Sequence, residues 1–169
     1  MQIRDEIPSD IAAIHTVERL AFGREEEADL VDALRAHGKA TLSLVAEHDG
    51  QIIGHVLFSP GHIAGPHGAV PVEGMGPVAV HPAYQRRGVG SELIQAGLER
   101  LRQSGAAIVI VEGDPRYYTR FGFGDATPLG ITCEFNPPPG CFMVLSFTPD
   151  ALVGVTGVAH YSEEFQAVG

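Results

Sequence analysis

Six residues constrain this chain more than any other stretch: Gln85-Arg86-Arg87-Gly88-Val89-Gly90. They lie between a strand-like run ending at Val80 and an amphipathic helix from about Val89 to Gln103. In that helix Val89, Leu93, Ile94, Leu98 and Leu101 fall on one stripe, with Gly105 past its end. Strand, glycine turn and helix N-terminus in that order aim backbone N–H groups at one point, where the helix dipole adds positive potential. The arrangement suits a phosphate. Gly88 and Gly90 lack a Cβ, so a ligand can approach the backbone closely. Two better-known phosphate loops are excluded. A P-loop needs Lys-Ser/Thr after its last glycine, and Ser91-Glu92 stands there. A dinucleotide fingerprint needs glycine or alanine at 93, which is Leu93.

The rest of the chain alternates strand and helix, which predicts an α/β or α+β class with a mixed sheet. Met1 to Arg4 reads as a first strand. Pro8-Ser9-Asp10 opens a helix with Ser9 or Asp10 as its cap, and Ile11, Ile14, Val17 (or Glu18) and Phe22 at helical spacing. A second helix is expected from about Glu25 to His37, with an acidic first turn, a Leu30/Val31/Leu34 stripe and Gly38 as its stop. Leu42 to Glu47 and Gln51 to Phe58 form a hairpin about Asp49-Gly50. A Gly/Pro/His-rich loop, Ser59 to Gly68, precedes a strand from Val70 to Val80, whose Val70, Val72, Val78 and Val80 share one parity and so one face. Pro77 cannot donate to a sheet ladder, so a bulge, a sheet edge or local splaying is expected there. Ala106 to Glu112 is a buried strand, Pro115 to Phe121 a short helix, and Phe142 to Phe147 a strand. The tail beyond Pro149 shows only a weak pattern.

Composition narrows the function. The 169 residues suit one domain, read as residues 1–169 with the core motifs in 1–124 and C-terminal strands and tail in 125–169. Lys and Arg number 11 against 21 Asp and Glu, a net charge of −10, which argues against nucleic acid and against anionic membrane. The longest clean apolar stretch, Ala106 to Val111, is far short of the ~20 residues that span a bilayer. Acidic residues near Met1 replace the apolar run of a signal peptide, and two cysteines suit a reducing compartment, so a cytoplasmic protein is expected.

Gly76-Pro77-Val78-Ala79-Val80-His81-Pro82, the turn at 85–90, and Tyr117-Tyr118-Thr119-Arg120-Phe121-Gly122-Phe123 together resemble the GNAT superfamily of acyl-CoA-dependent N-acetyltransferases. The first two segments look like its acyl-CoA motif and the last like its Tyr-x-x-x-Gly-Phe motif. The resemblance runs from about residue 1 to 124. The stretch Glu27-Ala28-Asp29-Leu30-Val31-Asp32-Ala33-Leu34-Arg35, the Asp114-Pro115 pair and the long C-terminal third look most like the YhbS-like subgroup.

The resemblance implies a mixed, mostly antiparallel sheet splayed between two parallel central strands and flanked by helices on both faces. It implies acetyl-CoA as acyl donor, with the backbone of Val78, Ala79 and Val80 pairing with the pantetheine arm. The turn Gln85, Arg86, Arg87, Gly88, Val89, Gly90 and Ser91 would hold the pyrophosphate. Asp114 and Tyr117 would also lie against the cofactor. Where many members keep an asparagine after the strand preceding the tyrosines, this chain reads Val111-Glu112-Gly113-Asp114-Pro115. Tyr118 takes the general-acid position: a tyrosine of pKa ~10 stays protonated at neutral pH and can protonate a departing thiolate. Glu73 is the candidate base, acting directly or through water, with Glu26, Glu27 and His81 as alternatives. The acceptor would be a small-molecule or protein amine, its pocket built from residues 22–27, the loop 59–68 and the C-terminal strands, which could also pair in a homodimer. Neither a metal centre nor a cysteine nucleophile is expected: His62 and His67 lack matching ligands, and the family transfers the acyl group directly. Two rivals stand beside the enzyme: a non-catalytic acyl-CoA-binding sensor, and a nucleotide-binding regulator.

Overall fold

The computed structural model describes residues 1–169. Its chain divides into two compact units, one formed by Met1–Ser59, Met75–Leu101 and Glu163–Gly169, the other by Pro60–Gly74 and Arg102–Ser162. The first unit opens with β1 (Gln2–Asp5), then α1 (Ile11–Phe22) and α2 (Glu26–Ala36), then β2 (Leu42–His48) and the part of β3 (Gln51–Gly65) up to Ser59. β1 pairs antiparallel with β2 and β2 with β3. Asp49 and Gly50 both take the left-handed conformation that a two-residue hairpin turn demands, at φ 50° and 76°.

Helices cover both faces of β3, because consecutive strand residues point to opposite sides. The His55 side chain meets Glu18 of α1. At its neighbour Gly54 a Cβ would meet Leu93 and Val89 of α3 (Val89–Gln103). The expected stripe of α3 is buried, joined by Gly97. That glycine lies against the Phe58 ring, whose Cζ would be 2.6 Å from an added Cβ. Gly97→Ala should therefore destabilise the protein by about 1–3 kcal/mol, read as a lower chemical-denaturation midpoint, since a tightly packed ring must shift. On the other face Ile14, Leu30, Val31, Leu34, Val45 and Leu57 form one apolar cluster, with Phe165 and Val168 packed against it.

In the second unit the part of β4 (Gly68–Val80) up to Gly74 pairs parallel with β5 (Ile108–Glu112). β5 pairs antiparallel with β8 (Phe142–Ser146), and β8 with β6 (Gly124–Asp125). β3 pairs antiparallel with β9 (Gly157–His160), which runs parallel to β7 (Ile131–Cys133). Antiparallel pairings dominate, as expected. The parallel register is confined to Glu73↔Val109 and Gly74↔Ile110, after which β4 continues to Val80.

Several local expectations are corrected. Residues 59–65 are not loop but the second half of β3, and only a tight turn precedes Gly68. Gly61 and Gly65 are needed because the backbone oxygens of His160 and Thr156 approach them too closely for a side chain. The four valines of β4 do not share a face. Burial falls on Val72 and Gly74, then on Met75, Pro77 and Ala79, leaving Val78 and Val80 on the other parity. The phase changes between Gly74 and Met75, just before Gly76 takes φ 141°. In α1, Ile11 and Phe22 are exposed while Glu18 is fully buried. Asp10 accepts from Ile7 N–H and Arg4 instead of capping α1 with its side chain. The tail beyond Pro149 carries β9 and a short 3-10 turn at Glu163–Ala167. No helix is long and apolar enough to cross a membrane.

Candidate active site

The turn after β4 is built for backbone convergence. Arg86 and Gly88 take positive φ, 64° and 84°, while Arg87 between them does not. Alternating handedness of this kind curls successive N–H groups around a concavity suited to an anion. The ladder of α3 begins with Glu92 N–H donating to Gly88 O at 3.0 Å, so the N–H groups of Val89, Gly90 and Ser91 precede its first rung. A Cβ on Gly88 would meet nothing within 4 Å, so the mouth of the turn is open. Gln85 fastens the turn to the strand end, its Nε2 donating to Val80 O at 3.0 Å. Arg87 lies over the Tyr84 ring, 5.7 Å from its centroid, and Arg86 and Arg87 are exposed. The left-handed Arg86 was beyond sequence reasoning, which marked only the glycines. Residues and geometry together fit a diphosphate.

His81 ends β4 structurally: its N–H donates to Ile53 O at 2.8 Å, and its Nδ1 accepts from Ala83 N–H at 3.1 Å. Of the other candidate bases, Glu27 is gripped by Arg24 at 2.8 and 2.6 Å. Glu26 also pairs with Arg24, at 3.1 Å.

In the second unit α4 (Pro115–Tyr118) and a following 3-10 turn, Thr119–Phe121, carry the tyrosines and end at Gly122 with φ 99°. Asp114 caps α4 by accepting from Arg116 N–H at 2.9 Å. Its hydrogen bonds from the Arg116 guanidinium and N–H hold the carboxyl below its ordinary range. The Tyr118 ring packs among Tyr117, Phe121 and Phe123, with centroids at 5.0, 6.5 and 6.1 Å. Burial pushes its phenol up to about 12, with Tyr117 adding to the effect. The phenol thus keeps its proton at neutral pH. Behind the ring lies Gly113, where a Cβ would stand 2.8 Å from Tyr118 Cδ2. Its position before Asp114-Pro115 was the only sequence signal of that role. Glu73, half-buried, occupies one of the two parallel rungs joining β4 to β5. The Cys133 thiol is pushed up to about 12 by burial, opposed by a backbone hydrogen bond and reinforced by Glu112, to which it donates at 3.1 Å. It is a poor nucleophile.

Residues 2–126 match the model of the acetyltransferase (GNAT) domain. The chain belongs to the GNAT family. It is 41% identical over 166 residues to the N-acetyltransferase YhbS of Escherichia coli K12, covering 98% of each chain. It is 38% identical over 157 residues to YjhQ of the same organism, 86% of this chain and 85% of the relative. Among solved structures, E. coli YhbS in complex with CoA superposes with a TM-score of 0.92 at 40% identity, covering 99% of this chain and 93% of that one. A Brucella melitensis GNAT acetyltransferase in complex with acetyl-CoA gives 0.80 at 40% identity over 97% of each chain.

Proposed function

We propose that this GNAT enzyme transfers acetyl from acetyl-CoA directly to a primary amine, with both substrates bound in a ternary complex. The observation that carries the reading is the turn at 86–91, with left-handed Arg86 and Gly88 and the first amides of α3. In this reading those amides hold the diphosphate and the backbone of Val78, Ala79 and Val80 pairs with the pantetheine arm. Tyr117 and Asp114 contribute from the α4 segment, Asp114 through whatever capacity its bonds to Arg116 leave. Acetyl-CoA supplies an activated thioester. Glu73 accepts the proton that the amine must lose, directly or through water, and Tyr118 donates to the leaving sulfur. Residues 1–169 act as one acetyltransferase domain. The net charge of −10 favours cationic acceptors, and two free cysteines suit the cytoplasm.

Calorimetric titration with acetyl-CoA, CoA, ATP and NAD tests the cofactor assignment. Binding of the two CoA species in preference to ATP and NAD is expected. A ligand at 100 times its dissociation constant should add about 2.7 kcal/mol of stability. Absence of heat with acetyl-CoA overturns the reading. An amine panel with free-thiol readout then identifies the acceptor class. Gly113→Ala gives a separate check: the added methyl displaces the Tyr118 ring without removing a reacting group. Turnover should fall about 10²-fold with acetyl-CoA affinity retained, since small misplacements of a catalytic group are costly.

A further inference from the structure

The proposed reaction makes no use of a polar chain buried beneath α1 and α2. Glu18 of α1 and His55 of β3 have fully buried side chains, with Oε1 and Nδ1 2.7 Å apart. His55 Nε2 lies 2.8 Å from Ser43 Oγ on β2. Ser43 in turn donates to Glu6 Oε1 in the segment after β1. Arg35 of α2 grips Glu6 through Nε and Nη2 at 2.8 and 2.9 Å. Five segments thus meet along one line. The apolar cluster of Ile14, Leu30, Val31, Leu34, Val45 and Leu57 packs between the same helices and strands. The second carboxylate oxygen of Glu18, Oε2, is buried without a hydrogen-bond partner. Other charged groups facing this line are Glu27, felt by Glu18 from α2, and Asp32, 3.2 Å from Arg35 Nη1, and within the line Glu6 stands 4.0 Å from His55 Nε2.

Counting hydrogens fixes how the line is held. Burial opposes the charge on Glu6, but Arg35 and Ser43 outweigh it and keep its carboxyl below the ordinary range. Glu6 therefore only accepts. Three contacts in series (Glu18–His55, His55–Ser43, Ser43–Glu6) need three hydrogens. The serine hydroxyl supplies one and a neutral imidazole supplies one. The third is a proton shared by Glu18 and His55, as carboxylate with imidazolium or acid with imidazole. Remove it and one contact faces lone pair to lone pair, whichever imidazole tautomer forms.

We propose that Glu18 and His55 form a one-proton latch that fastens the α1–α2 hairpin onto β2 and β3 and loosens when that proton is lost as pH rises. Burial of the Glu18 carboxyl raises its pKa, with His55 pulling the other way. A group raised on folding stabilises the folded state below its unfolded pKa, and that stability fades as pH climbs through the folded value. The latch therefore opens towards high pH.

The test compares full-length protein with Glu18→Gln, whose amide N–H supplies the third hydrogen at every pH. Pulse-labelled hydrogen exchange is followed from about pH 5 to about pH 10, corrected for intrinsic exchange. In the wild type, α1 and α2 amides should open about tenfold more often at the alkaline end, the effect of one unpaired buried contact, while Glu18→Gln stays flat. Tyr118, Tyr161 and Cys133, whose protons burial also retains, are common to both proteins. Should the variant fold poorly, ¹⁵N spectra of His55 in the wild type decide: both ring nitrogens must shift together as the proton leaves. Wild-type exchange without pH dependence, a variant that tracks the wild type, or invariant His55 nitrogens would each overturn the latch.

Discussion

Tyr118→Phe should lower acetyl transfer by about 10²- to 10⁴-fold, the usual contribution of a positioned acid, while leaving acetyl-CoA affinity unchanged. The phenyl ring fits among Tyr117, Phe121 and Phe123 without the hydroxyl, so packing is preserved and only the donor is lost. Burial already keeps the phenol protonated across the neutral range, the state that the proposed acid role requires. Thiol release with an amine identified by the panel measures turnover, and calorimetry measures affinity. Unaltered turnover would remove Tyr118 from the chemistry. Binding without turnover in the wild type itself would favour the sensor module.

Gly88→Val should weaken acetyl-CoA binding by about 10- to 10²-fold, because a β-branched residue held left-handed costs roughly 1–2 kcal/mol and disturbs the amides beside it. Open space around Gly88 excludes a clash of an added Cβ with the protein itself, so the loss reports the left-handed backbone and the closeness of the diphosphate to it. Gly88→Ala, with a smaller conformational penalty, should fall between the two, giving a graded series by calorimetry. A variant that binds as tightly as wild type would dissociate the turn from the diphosphate.

Features written in local periodicity were legible from the sequence. The stripe of α3, the Asp49-Gly50 hairpin and the glycine turn each depend on residues within a few positions of one another. The continuation of β3 past Ser59 was not legible. Pro60, Gly61 and Gly65 read as loop, whereas the two glycines admit the backbone near His160 and Thr156, partners about a hundred residues away in sequence. Glu18 was equally opaque. At helical spacing it competed with Val17 for the buried face, and only its partner on β3 explains how a carboxylate occupies that place. For the site, residue types and order were readable, while the left-handed Arg86 and the Gly113–Tyr118 contact required coordinates.

The change of phase in β4 restricts how this segment can drift in length. Because buried positions are even-numbered up to Gly74 and odd-numbered from Met75 to Ala79, inserting or deleting a single residue between Val72 and Ala79 would turn everything downstream inside out. Descendants of this chain can exchange side chains there far more freely than they can gain or lose one.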